Sequence, residues 1–162
     1  MTHRTLLALV PALAVASLLA LPAVAQTTTV ASATPPSAGA ATAPAGLYQA
    51  LGEKAGITRL MDDFVNRVVK DPRIGAHFKD VNPAALKESL TDQICQLSGG
   101  PCQYEGADMK SAHADMDINK GHFNALVEVL QTAMDAQGIP FAQQNRLLAL
   151  LAPMHRDIIT VR

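Results

Sequence analysis

Residues 99–123 read GGPCQYEGADMKSAHADMDINKGHF and lie between two segments with helical periodicity. A Gly-Gly-Pro turn opens them, and Gly106 lies midway between this turn and His113. Glycine and proline at this density interrupt a regular helix. The pattern therefore predicts a histidine that follows a loosely wound segment inside an otherwise helical domain.

The segments on both sides of this stretch have the spacing of amphipathic helices. Apolar residues recur every three or four positions from Ile57 to Val69, and Asn82-Pro83 is suited to begin a second helix. Strand-like alternation is absent, so the sequence predicts an all-α fold with four main helices. The helices are expected at 57–69, 83–98, 120–137 and 141–159, with a lead-in helix at 46–54 and a helical turn at 74–78.

The N-terminal residues differ in composition from the rest. Arg4 precedes a nearly apolar run from Leu6 to Leu21, and Ala23-Val24-Ala25 supplies small residues at its end. This is the layout of a secretory signal. The alternative is a membrane anchor, because about 20 apolar residues could just span a bilayer. We expect a signal peptide at 1–25, a flexible linker rich in Ala, Thr, Pro and Ser at 26–45, and one exported, periplasmic or secreted domain at 46–162, with no stable membrane insertion after the signal is removed.

Charge and cysteine content narrow the function classes further. The chain has 13 Lys and Arg against 14 Asp and Glu, which leaves no electrostatic footprint for nucleic acid. Cys95 and Cys102 flank the Gly-Gly-Pro turn, and two nearby cysteines in an oxidising compartment favour a disulfide. The alternative is two separate thiols.

Spacing alone does not select a metal-binding histidine. The five histidines form no HExxH motif and no zinc pattern, and the chain has no GxSxG motif. On spacing alone, His113 is more often a surface or core residue than a ligand, and Met109 and Met116 are ordinary helix packing.

The order of the motifs, however, resembles that of the group I truncated haemoglobins from Leu47 to about Val161. LYQALGEKAGI resembles the start of that family, with Glu53 in place of the second glycine of its usual pair. DDFVNRVVKDPRIGAHF resembles the helix and turn of its distal side, and LLALLAPMHRDII its last helix. GGP and YEGADM resemble the two turn motifs before its haem-ligating histidine. The resemblance implies the two-over-two helical sandwich, haem b as cofactor and His113 as the axial iron ligand.

Haem requires an apolar slot, one imidazole below the iron and cations near its propionates. Lys110 is the candidate propionate partner, and the alternative for it is an ordinary solvated lysine. The candidate slot residues are Phe64, Phe78, Leu86, Leu90, Met109, Met116 and Phe123.

The departures from the family lie on the distal side. Val65 stands where the family usually has a tyrosine, Leu86 and Leu90 stand where it usually has polar residues, and Gln93 replaces an aromatic residue. We expect Val65, Leu86 and Leu90 to face the iron and to offer no hydrogen bond to dioxygen. Gln93 is left open as a substitute donor, and Lys87 or His77 is left open as a sixth iron ligand.

The sequence therefore predicts an exported haem-binding globin whose ligand is dioxygen or nitric oxide, with carbon monoxide as a further gas that it would bind. Any catalysis, on nitric oxide or in electron transfer with a redox partner, would be centred on the iron. The alternative is a haem-free helical domain that binds a partner or an apolar small molecule.

Overall fold

A computed structural model of the chain describes residues 43–161. The predicted signal peptide and residues 26–42 of the predicted linker lie outside the described residues. Two 3₁₀ turns, Gly75–Phe78 and Ala152–Met154, accompany the α-helices. In chain order the helices are α1 (Leu47–Ala50), α2 (Glu53–Val68), α3 (Pro83–Leu97), α4 (Met109–Ala112), α5 (Lys120–Ala136), α6 (Phe141–Leu151) and α7 (His155–Ile158).

Helix α2 is the central element, and it packs against both α3 and α5. Its predicted apolar stripe is buried, with Ile57 and Leu60 fully so. Gly56 belongs to the same buried face, where a Cβ atom would collide with the backbone oxygen of Leu51. A glycine at this position therefore lets the start of α2 lie directly against the end of the lead-in segment.

The lead-in helix is shorter than the sequence predicted. It ends at Ala50, and α2 begins after Gly52, which has φ 80°. Glu53 follows with φ 56°, a left-handed conformation that a residue with a Cβ atom adopts at a cost. The Tyr48 hydroxyl accepts a hydrogen bond from the Lys54 backbone N–H at 3.0 Å, so α1 helps to cap α2.

Asparagine caps fix the beginnings of α3 and α5, as predicted. The Asn82 side chain accepts from the backbone N–H groups of Ala84 and Ala85. The Asn119 side chain accepts from the His122 N–H at 2.9 Å. Both caps remove unpaired donors from a helix terminus, and both confirm the predicted helix starts.

The predicted fourth helix, in contrast, is not continuous. Helix α6 ends at Leu151, the 3₁₀ turn Ala152–Met154 follows, and α7 resumes at His155. Pro153 lies in this turn, and proline lacks the N–H that an α-helix needs at an interior position. The apolar spacing continues through the break, which is why the sequence pattern did not reveal it.

The architecture is the predicted all-α, two-over-two sandwich. Helices α2 and α3 form one pair, and α5 and α6 supply the other, with side chains of all four in one core. The amide of Gln144 holds the connection of the second pair, donating to Asp135 and to the Ile139 carbonyl oxygen. Across residues 43–161, none of the helices combines the length and the apolar character needed to cross a membrane.

Candidate functional site

A cavity of about 640 Å³ lies between the two helix pairs and the segment that carries α4. Its volume is within the range of small-molecule and cofactor sites, and its walls are mostly apolar. Eight of the nine predicted site residues line it: Phe64, Phe78, Leu86, Leu90, Met109, His113, Met116 and Phe123.

Apart from His77 and Gln93, the remaining wall comes from residues that the sequence analysis did not single out. They include Tyr104 and Gly106 of the turn-rich segment, where Tyr104 lies directly over the glycine. The large apolar helical residues among them fall on the same stripes as the predicted ones, so periodicity carried their signal. They are Met61, Ile94, Leu126, Val127, Leu130, Leu148, Leu151 and Ile158. The polar Ser89 and Asn124 line the cavity as well.

His113 is half-buried at the C-terminal end of α4. Its ring Nδ1 lies 2.7 Å from the carbonyl oxygen of Met109. Because a carbonyl oxygen only accepts, Nδ1 carries the proton and donates it. The Nε2 lone pair is therefore available to a metal, and a bond from the second ring nitrogen is the usual partner of a histidine that ligates one.

The four-residue helix α4 depends on a side-chain cap. The Asp108 carboxylate accepts from the Ser111 backbone N–H at 3.0 Å and from its hydroxyl at 2.7 Å. These two bonds favour the ionised carboxylate and lower the pKa of Asp108 below its ordinary value of 3.8. The cap thus orders the turn that ends at His113.

The predicted disulfide is confirmed, since Cys95 and Cys102 are joined with their Cα atoms 5.7 Å apart. It ties the end of α3 to the segment that leads to His113. A parallel tie is the hydrogen bond from the Tyr104 backbone N–H to the Gln96 side chain, at 2.6 Å. The polypeptide between α3 and α4 is therefore held at several points although it has no regular structure of its own.

Comparison with known proteins decides the family. The bacterial-like globin family matches residues 46–160. The group 1 truncated haemoglobin of Mycolicibacterium paratuberculosis is 29% identical over 117 residues, which cover 72% of this chain and 86% of that protein. The corresponding protein of Synechocystis sp. is 31% identical over 119 residues, covering 70% and 96%. The chain belongs to the truncated haemoglobins.

The fold agrees with this family. The crystal structure of the truncated haemoglobin from Tetrahymena pyriformis in its Fe(III) form matches with a TM-score of 0.67 and 26% identity. The match covers 70% of this chain and 97% of that one. Truncated haemoglobins bind haem b and small gaseous ligands. The residues present here fit that cofactor, because an apolar cavity and an imidazole with a free Nε2 meet in one place.

Lys110 and Val65 of this truncated haemoglobin are absent from the residues that line the cavity. Lys110 is exposed on α4 and does not line the cavity, so its role beside a propionate stays a prediction. Val65 was expected to face the iron, and this also stays a prediction. It is 1% exposed in the same core as Met61 and Phe64, and of these three side chains only Met61 and Phe64 line the cavity.

The candidate substitute donor, Gln93, and the candidate sixth ligands, Lys87 and His77, lie in different places. Lys87 does not line the cavity, and its Nζ lies 2.5 Å from a carboxylate oxygen of Asp62. His77 lines the cavity, and its ring packs edge-on against that of His122 with centroids 4.7 Å apart. Gln93 also lines the cavity, is only 8% exposed, and points its amide at the sulfur of Met109.

Proposed function

We propose that this globin is an exported protein that binds a diatomic gas at haem b ligated by His113. The observation that carries the proposal is the hydrogen bond from Nδ1 of His113 to the Met109 carbonyl oxygen, which leaves Nε2 free at the wall of an apolar cavity. The haem iron would supply the coordination bond to the gas. The chain supplies the ligand, the apolar surroundings and the exclusion of water.

The cavity walls support a ligand that needs little hydrogen bonding. From α2 they present Met61 and Phe64, and from α3 they present Leu86, Ser89, Leu90, Gln93 and Ile94. Only Ser89 and Gln93 among these side chains can donate a hydrogen bond, and the Gln93 amide donates to the sulfur of Met109. Nitric oxide and carbon monoxide depend less on a donor than dioxygen does, so we propose nitric oxide as the favoured ligand and weak retention of dioxygen.

Export is proposed on two features of the chain. The first is the signal-like composition of residues 1–25, and the second is the disulfide between Cys95 and Cys102, a bond typical of oxidising compartments. Fractionation of cells that express the full chain tests this directly. Retention in the cytoplasm with both thiols reduced would contradict it.

The absorption spectrum of the purified protein, with and without reductant and carbon monoxide, tests haem binding. We expect His113→Ala to lose stoichiometric haem or to change its spectrum. His122→Ala is the matched control. This substitution removes an imidazole that contributes to the α5 cap, so it should lower the free energy of unfolding by about 1 kcal/mol. The His122 side chain does not line the main cavity.

The outcomes separate the alternatives. If His113→Ala retained haem with an unchanged spectrum while His122→Ala lost it, the assignment of the ligand would be wrong. If the parent protein bound no haem even when haem was supplied to the folded protein, the haem-free domain would be the better description.

A further inference from the structure

Gln93 is an unusual residue for the cavity that it lines. It is more than nine-tenths buried, and its neighbours on α3 that also line the cavity are Ser89, Leu90 and Ile94. Its amide Nε2 donates to Sδ of Met109 at 3.7 Å. A thioether is a weak acceptor, so the amide gains little from this bond compared with one to an oxygen. The contact with Met109 is therefore the feature of Gln93 that needs an explanation.

Met109 is the residue that gives this contact a consequence. Its side chain receives the Gln93 amide, and its backbone oxygen receives the His113 Nδ1–H at 2.7 Å. The same carbonyl also accepts from the His113 backbone N–H at 3.2 Å. A single residue thus joins the wall formed by α3 to the imidazole on the opposite segment.

The length of α4 makes this connection important. A helix of four residues is not stable by itself, so the position of its first carbonyl depends on contacts outside the helix. The Asp108 cap holds the N–H side of the turn. The contact of Met109 with Gln93 holds the residue whose carbonyl orients His113.

We propose that Gln93 is a positioning residue for His113 and acts through Met109. The amide fixes the Met109 side chain, and this aligns the Met109 carbonyl with the Nδ1–H group. A well-aligned bond at Nδ1 raises the basicity of Nε2 and fixes the ring orientation. The inference rests on the proposed role of His113 as the iron ligand.

The test uses the full-length haem protein and the variants Gln93→Leu, Met109→Leu and the double variant. Gln137→Leu is the matched control, because Gln137 is exposed at the end of α5 and away from the cavity. The readouts are the iron–imidazole stretching frequency of the ferrous protein by resonance Raman spectroscopy and the rate of haem transfer to an excess of apomyoglobin.

Each single variant should lower the stretching frequency and speed haem loss by about 10-fold, the usual effect of losing a partner of a ligating histidine. The double variant should add little to either single one, since both remove the same connection. If Gln93→Leu left the frequency unchanged but altered the stretching frequency of bound carbon monoxide, Gln93 would be a donor to the gas and the proposal would be overturned.

A second measurement does not require haem retention. The imidazole ¹⁵N shifts of His113 in the folded haem-free protein report which ring nitrogen carries the proton. The parent should show the Nδ1–H form, and Gln93→Leu should reduce its population, whereas an unchanged population would refute the proposal. A parent protein that binds no haem but shows this loss would contradict the proposed function and leave the Gln93–Met109–His113 connection supported.

Discussion

Reduction of the Cys95–Cys102 disulfide should destabilise the domain by a predictable amount. The two cysteines are seven residues apart, so the bond closes a short loop in the unfolded chain. The loop-closure relation gives about 2.4 kcal/mol for that length at room temperature. For a domain of this size, that corresponds to a fall of about 10 °C in Tm.

The assay compares thermal unfolding of the oxidised and the reduced parent, followed by far-ultraviolet circular dichroism. Reduction keeps both sulfur atoms and so isolates the cross-link, whereas replacement of the fully buried Cys95 also changes packing. The double variant Cys95→Ala, Cys102→Ala is the control for the reductant itself, and its Tm should not respond to reduction.

The same bond should affect haem retention, because it anchors the segment that leads to His113. We expect haem to leave the reduced protein faster than the oxidised one at a temperature where both remain folded. An unchanged Tm on reduction would refute the entropic argument. A lower Tm with an unchanged rate of haem loss would show that the disulfide stabilises the fold without holding His113.

Three further changes test other parts of the structure. Leu90→Gln adds a hydrogen-bond donor to the cavity wall. A bond of about 1.5–3 kcal/mol to bound dioxygen should slow dioxygen release by roughly one to two orders of magnitude and change carbon monoxide release less. Equal effects on the two gases in stopped-flow measurements would contradict the apolar-wall argument. Glu53→Gly removes the steric cost of a left-handed backbone conformation at a residue with a Cβ atom. It should raise the free energy of unfolding by about 0.5–1 kcal/mol after the flexibility of glycine in the unfolded chain is subtracted. Glu53→Ala keeps the Cβ atom and should give no gain in urea titrations. Asp108 has a lowered pKa, so its cap stabilises fully above the ordinary pKa of 3.8 and is lost as the pH falls from there through the lower native value. Within that interval the parent should lose stability more steeply with falling pH than Asp108→Asn, and curves that stay parallel through it would count against the cap.

Local signals in the sequence were sufficient for most of the fold. Asn82 and Asn119 lie beside apolar stripes, and a capping side chain acts within three residues, so the starts of α3 and α5 could be predicted. The break at Pro153 was missed because the apolar spacing of the last helix continues through it. The conformation of Glu53 was signalled by its departure from the glycine pair of the family, but only the backbone angle shows that the left-handed conformation is kept.

The sequence was sufficient to predict which helices form the site. It was less sufficient to predict which single side chains line it. Phe64 and Val65 are adjacent, apolar and buried, and nothing in the composition of α2 distinguishes a core neighbour from a cavity wall. Both belong to the core, and of the two only Phe64 lines the cavity. That difference depends on the packing of α2 against α3 and α5, which is a property of the packed domain.

The distribution of polar groups in the cavity has a consequence for ligand choice. Leu86 and Leu90 are apolar wall residues of α3, and the buried amide of Gln93 on the same helix donates to the sulfur of Met109. The hydrogen bonds from this wall therefore lead through Met109 towards the His113 imidazole. Under the proposed function, in which His113 ligates the iron, we propose that the chain controls the strength of the iron–imidazole bond more than a hydrogen bond to the gas. Such a site favours ligands such as nitric oxide, whose retention depends little on a distal hydrogen bond.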